Sequence, residues 1–183
     1  MTIPAGGIGM HLYTMRDVLA EDYPGTLKRL AGIGYQTVGV SGRFDHSAEE
    51  IRSYADDAGL KLLFHNHGRD FDEVDGQVLY DILLGVDPEL LGFELDLYWA
   101  VDGGHDPAKL FQEHPGRFPA LHVKDMAEDG SWEDVGAGKL DFGAMFEHAQ
   151  AGGVEQWLVE HDKPTDAWKS AERSYRGLTE IRY

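Results

Sequence analysis

Short apolar runs that end in imidazole and carboxylate groups recur along this chain. Leu62-Leu63-Phe64 leads into His65-Asn66-His67, and Leu91-Gly92-Phe93 into Glu94-Leu95-Asp96. Pro119-Ala120-Leu121 leads into His122-Val123-Lys124-Asp125, and Trp157-Leu158-Val159 into Glu160-His161-Asp162. Each run has the length of a strand, and helix-like segments separate them. A strand that turns polar at its C-terminal end is how parallel α/β folds assemble active sites. Four such endings in succession predict one convergent polar site.

The remaining pattern completes an alternation of strand and helix. Ile8 to Tyr13 reads as a first strand with Thr14-Met15-Arg16-Asp17 at its mouth. Pro24 to Ile33 reads as a helix closed by Gly34, and Thr37 to Val40 as a second strand. Ser47 and Glu50 form a capping box for a helix that Gly59 ends. Lys61 to His65 is the third strand, and a turn at Asp75-Gly76 precedes a helix from Val78 to Leu84. Leu91 to Leu97 is the fourth strand, followed by a helix from Asp106-Pro107 to His114. Ala120 to Val123 is the fifth. A polar loop from Met126 to Lys139 carries Gly130, Gly136 and Gly138, with the last two read as loop hinges. A helix from Phe142 to Ala151, a sixth strand from Gln156 to Val159 and a helix from Ala167 to Ile181 close the chain. Six βα units predict an α/β fold in which a parallel sheet carries its helices outside, within a single domain over residues 1–183.

Composition narrows the chemistry. The absence of cysteine leaves His, Asp, Glu and Asn as the only metal-type side chains. A net charge of −17 opposes binding to nucleic acid, which needs Lys and Arg against phosphate. With no apolar stretch of membrane-spanning length and no leader-like start, the expectation is a cytoplasmic protein without a membrane partner.

Five strings carry a resemblance to a known family. They are Gly9 to Asp17, Phe64 to His67, Phe93 to Trp99, Leu121 to Met126 and Val159 to Asp162. Together and in this order they resemble the sugar phosphate isomerase/epimerase family of xylose isomerase-like TIM barrels. That family is related to inosose dehydratases, ketose 3-epimerases and the endonuclease IV group. Such barrels have eight strands and about 250 residues, whereas this chain has 183 residues and six strands. Its first two units resemble the family's first two, and the unit opening on His65 resembles the fifth. The resemblance therefore implies a TIM barrel shortened to (βα)6 by loss of the third and fourth units, with the join near Gly59-Leu60-Lys61. Six strands either close into a smaller barrel or leave open edges for a second copy. A closed or dimer-completed barrel, most simply a homodimer, is the expected form.

The resemblance also implies a site. His65, Asp96, His122 and Glu160 fall where the family holds a divalent metal, and two imidazoles with two carboxylates suit Mn, Co, Zn or Fe better than Mg. Glu160, Lys124, Asp70 and His161 are the implied acid–base groups, and Tyr13, Arg16, Trp99 and His67 the implied walls of a carbohydrate site. His65 stands where many relatives carry glutamate, so a second base must come from elsewhere. Glu94, two residues before Asp96, shares its face of the strand. Lys124 and Asp125 read as an ion pair, and His11, His46, His105, His114 and His148 as ordinary surface or loop residues. The implied activity is isomerisation or epimerisation by proton transfer beside a carbonyl. The alternatives are an inosose-type dehydratase and a non-catalytic barrel that keeps a metal or small-ligand site.

Overall fold

The computed structural model describes residues 2–39, 47, 53 and 63–183. Most of the helix expected between Ser47 and Gly59, and the expected join at residues 59–61, lie outside the described residues.

Six strands form the main sheet: β1 Ile8–His11, β2 Thr37–Gly39, β3 Leu63–His65, β4 Gly92–Asp96, β5 Ala120–Val123 and β6 Gln156–Val159. Their order is β2-β1-β6-β5-β4-β3, and each pairing is parallel. The last strand returns beside the first, which is the step that curls a βα sheet into a barrel. Among the described residues, β2 and β3 end the sheet on opposite sides. Among the described residues these two strands follow one another in sequence, so the opening falls where the resemblance puts the missing units. This is a shortened TIM barrel: a curled, six-stranded arc with its helices outside.

Eight helices accompany the sheet among the described residues: α1 Arg16–Glu21, α2 Tyr23–Ile33, α3 Leu79–Leu84, α4 Leu97–Asp102, α5 Pro107–Glu113, α6 Phe142–Phe146, α7 Ala149–Gly152 and α8 Ala167–Glu180. Phe93, Phe111, Phe118, Leu121, Phe146 and Trp157 fill the space between sheet and helices. Burial of each such side chain contributes about 1.5–3 kcal/mol.

Three boundaries differ from the sequence expectation, each for a local reason. The first strand stops at His11, because Leu12–Met15 tightens into a 3-10 turn. The fourth stops at Asp96, whose Oδ1 accepts the Trp99 N–H at 3.0 Å and caps α4. An apolar run that periodicity reads as strand is turned into helix at that point by its aspartate. The Phe142–Ala151 segment breaks into α6 and α7 around Glu147-His148.

Candidate metal centre at the strand ends

Register brings the polar strand endings to one height. Asp96 lies opposite His122, His65 opposite Glu94, Val159 opposite Val123, and Met10 opposite Val159. Residues two apart on a strand share a face. Each of the four later strands therefore offers two polar groups, in the pairs His65/His67, Glu94/Asp96, His122/Lys124 and Glu160/Asp162. His11, one residue past Met10, falls beside Glu160.

The side chains converge accordingly. His65 Nε2 is 3.0 Å from Asp96 Oδ2, and His122 Nδ1 is 3.6 Å from the same oxygen and 3.3 Å from Glu160 Oε2. Lys124 Nζ bridges Asp96 Oδ2 at 3.0 Å, Glu160 Oε2 at 2.6 Å and Asp162 Oδ1 at 3.0 Å. His11 Nδ1 closes on Glu160 Oε1 at 2.6 Å. The His122 ring lies 4.2 Å from that of His65 and 4.5 Å from that of His11. The four family-implied ligand positions thus meet in one cluster, as do Lys124 and the face-sharing Glu94.

The cluster is held rigidly. Asn66, fully buried, donates from Nδ2 to the Asp96 carbonyl and accepts the Asp96 N–H at 2.9 Å, pinning the end of β3 to the end of β4. Asp96 spends Oδ1 on the cap of α4 and turns Oδ2 into the cluster. Thr14 Oγ1 accepts the His161 N–H, joining the mouth of β1 to the end of β6.

Electrostatics sort the groups. Burial would raise the Asp96 carboxyl, but the Lys124 ammonium and the two imidazoles outweigh it and hold Asp96 far below the usual carboxylate range. Glu160 is likewise held down, against burial, by His11, His122 and Lys124. Burial would lower Lys124, yet Asp96, Glu160 and Asp162 together raise it above the ordinary lysine value, so it stays an ammonium. His65 is pushed down by burial and stays neutral, whereas the carboxylates around His122 overcome its burial and push it up.

The donor set fits a divalent cation. His11, His122 and Glu160, and also His65, Asp96 and His122, each bring three ligand atoms within 4.8 Å of one another. His122 is 2% exposed, and neither ring nitrogen makes a hydrogen bond. Glu94 Oε1 approaches its Nε2 to 2.9 Å without hydrogen-bond geometry. His122 thus has carboxylate oxygens near both ring nitrogens, Glu94 on one side and Asp96 with Glu160 on the other.

Other expected site residues sit apart or at the rim. Asp70 accepts the His67 N–H at 2.7 Å, so its carboxylate serves the turn that follows β3. His161 is buried, accepts the Lys163 N–H, and faces a pocket of about 290 Å³ lined also by Asp134, Ser170 and Arg173. Trp99 stands over the centre, 5.7 Å from Lys124 Nζ and 5.7 Å from the His67 ring. Tyr13 is exposed and stacks under Arg16, which also donates to its carbonyl.

Two expectations are overturned. His11 is no surface residue: it is 6% exposed and paired with Glu160. The signal was available in its place at the end of a strand, but one imidazole without a neighbouring carboxylate in sequence does not announce itself. Lys124 and Asp125 do not pair, because the ammonium is taken up by Asp96, Glu160 and Asp162. Asp125 instead accepts four backbone N–H groups, from Met126 and Leu140 on Oδ1 and from Gly136 and Gly138 on Oδ2. Gly136 and Gly138 are therefore anchors of the loop. Sequence reasoning also missed Asn66 and Trp132, which the loop brings back over the mouth beside Tyr98 and Trp99.

A family profile described as xylose isomerase-like TIM barrel matches residues 42–178. The chain belongs to this family. A sugar phosphate isomerase/epimerase from Parabacteroides distasonis superposes with a TM-score of 0.71 at 20% identity, over 98% of this chain and 96% of that one. A probable 3-DHS dehydratase from Bacillus anthracis superposes with a TM-score of 0.51 at 14% identity, over 87% of this chain and 71% of that one. In sequence, the chain is 29% identical over 119 residues to the rhizopine catabolism protein MocC of Rhizobium meliloti, over 55% of this chain. It spans only 36% of that relative's length. Among the described residues, no helix is long and apolar enough to cross a membrane.

Proposed function

We propose that this chain is a divalent-metal-dependent sugar or sugar-phosphate isomerase or epimerase that moves a proton beside a carbonyl. The observation that carries the reading is the convergence on buried His122 of two ligand sets, His11 with Glu160 and His65 with Asp96, each with its ligand atoms within 4.8 Å of one another. His65, Asp96, His122 and Glu160 would hold the metal, and this mixture of imidazole and carboxylate favours Mn, Co, Zn or Fe over Mg. When bound, the metal supplies Lewis-acid polarisation of the substrate carbonyl and stabilises the charge of an enediolate.

The chain's own residues take the remaining roles. Lys124, fixed as an ammonium, cannot act as a base and instead donates toward a developing oxyanion. Proton abstraction falls to a carboxylate, and Glu160 lies against that ammonium. Trp99 forms the apolar wall, with His67 beside it. A homodimer is the form in which the two ends of the sheet are covered. The relatives named for isomerase/epimerase activity support this choice of chemistry.

One observation favours a second reading. Lys124 Nζ and Glu160 Oε2 stand 2.6 Å apart, so a proton donor and an acceptor share one side of the cleft. Removal of a proton and departure of a hydroxyl on the same face need such a pair, which fits a dehydratase acting on an inosose-like ketone. The probable dehydratase among the structural relatives is consistent with it.

The experiment is metal analysis of the purified protein, of Asp96→Ala and of Glu160→Ala. Incubation with ketoses and inososes in D2O, followed by proton NMR, then reports the chemistry. Stoichiometric Mn, Co, Zn or Fe in the wild type and its loss from both variants are expected, with deuterium incorporated beside the carbonyl. Equal metal content in all three proteins would sink the assignment. Loss of water from the substrate would select the dehydratase.

A further inference from the structure

Three atoms set the floor of the centre: Asp96 Oδ2, Glu160 Oε2 and His122 Nδ1. Lys124 Nζ already bridges the two oxygens, at 3.0 and 2.6 Å, and the side chain is only 3% exposed. A divalent ion coordinated by carboxylate oxygens sits about 2.0–2.2 Å from them. An ammonium this close to both oxygens then shares their lone pairs with the metal and faces its two charges at near-contact distance. The two cations therefore compete for the same pair of oxygens and repel one another across them.

A second seat for the ammonium is already in place. Asp162 Oδ1 lies 3.0 Å from Nζ, and its side chain is 17% exposed, so it stands toward the mouth rather than the floor. The Trp99 ring is 5.7 Å from Nζ and offers a cation–π face beside that carboxylate. Asp162 sits two residues past Glu160, on the same face of the chain leaving β6, so the shift from one carboxylate to the other needs only side-chain rotation.

We propose that Lys124 is the resident counter-cation of this centre, and that a divalent metal enters by displacing its ammonium from Asp96 and Glu160, leaving Asp162 as the carboxylate that keeps it. The inference rests on the metal-site reading above and adds a determinant of affinity that the four ligands do not contain. Two consequences follow. Metal binding is weaker than the four ligands alone would give, because a positive charge is built into its own site. Metal entry also moves the ammonium outward to the Trp99 wall, where a substrate oxygen would meet it.

The test is isothermal titration with MnCl2, supported by manganese EPR, on the wild type and four variants: Lys124→Met, Lys124→Arg, Asp162→Asn and Lys124→Met/Asp162→Asn. Lys124→Met is expected to bind Mn at least tenfold tighter than wild type. Lys124→Arg, which keeps the charge, is expected to gain nothing. Asp162→Asn is expected to weaken binding several-fold when Lys124 is present and far less when it is Met, since the second seat matters only to the displaced ammonium. Lys124→Gln replaces the Met variant if that protein does not fold, being neutral yet able to hydrogen-bond the carboxylates. Mn binding to the wild type with no tightening in the neutral variants overturns the inference and leaves the metal site standing. No Mn binding to any of the proteins overturns both.

Discussion

Asp96 ends β4 and Asp125 lies two residues past the end of the neighbouring β5; both are almost fully buried and are satisfied in opposite ways. Asp96 turns one oxygen to a lysine and two imidazoles, all of them side chains that a metal or a substrate can rearrange. Asp125 accepts four backbone N–H groups, which nothing can replace without unfolding the loop that carries them. Buried carboxylates need compensation in either case. Compensation by mobile charges makes a centre, whereas compensation by backbone makes a staple. The chain puts one of each on either side of Lys124, and the staple holds the loop that brings Trp132 over the mouth.

The comparison is most directly broken at the staple. Asp125→Ala leaves four N–H groups without their acceptor, one of them from Gly138, where a Cβ would strike the carboxylate. At about 1–3 kcal/mol for each buried group left unpaired, with water reaching some of them, we expect a loss of about 4 kcal/mol. Urea denaturation with the slope compared to wild type measures it. A loss below about 1 kcal/mol would show that the loop holds without Asp125.

The centre should reveal itself through pH. Asp96 and Glu160 are held below their ordinary values of 3.8 and 4.5, so their stabilisation is complete above those values. It is lost as pH falls through them toward the folded-state values. His122 is shifted the other way: its contribution is complete below its ordinary 6.5 and is lost as pH rises through its raised folded value. Urea midpoints of the metal-free protein from pH 3 to 9 should therefore fall at both ends. The acid loss is expected near the roughly 2 kcal/mol that one paired carboxylate contributes. Asp96→Asn should flatten the acid limb, since the amide keeps an acceptor for α4 but carries no charge. An unchanged acid limb in that variant would place the titration elsewhere.

Much of this was legible in advance, and the part that was not has a physical reason. The apolar runs fixed six strands, and their polar endings predicted a common site, because side-chain period and strand register act along one dimension. The same reasoning failed at His11, Asn66 and Trp132, whose partners lie on other elements. His11 meets Glu160 across a strand pair from the two ends of the chain. Asn66 reads a neighbouring backbone rather than a side chain. Trp132 reaches the mouth because the loop turns back on itself and pairs Trp132 with Met126 across a short antiparallel ladder. The short helix α4 was missed since its cap, Asp96, was already assigned to chemistry, and one aspartate does both.

The finest distinction between staple and centre lies where the loop meets α8. Ser174 Oγ accepts the Val135 N–H at 3.1 Å in a buried setting, and a Cβ on Gly177 would strike the Val135 carbonyl. The loop is thus fastened at one end by a charge and along its far side by a neutral hydroxyl against a glycine. Ser174→Ala removes one neutral acceptor, so a loss of about 1 kcal/mol is expected. The Mn affinity should stay within twofold of wild type, because Ser174 touches no group of the centre. The pH limbs should also stay in place. If instead Ser174→Ala weakens Mn binding tenfold, the loop is part of the centre's support and the two aspartates are not separate devices. Equal stability with unchanged Mn affinity would mean that the Ser170–Asp134 hydrogen bond and the Gly177 contact hold that side without Ser174.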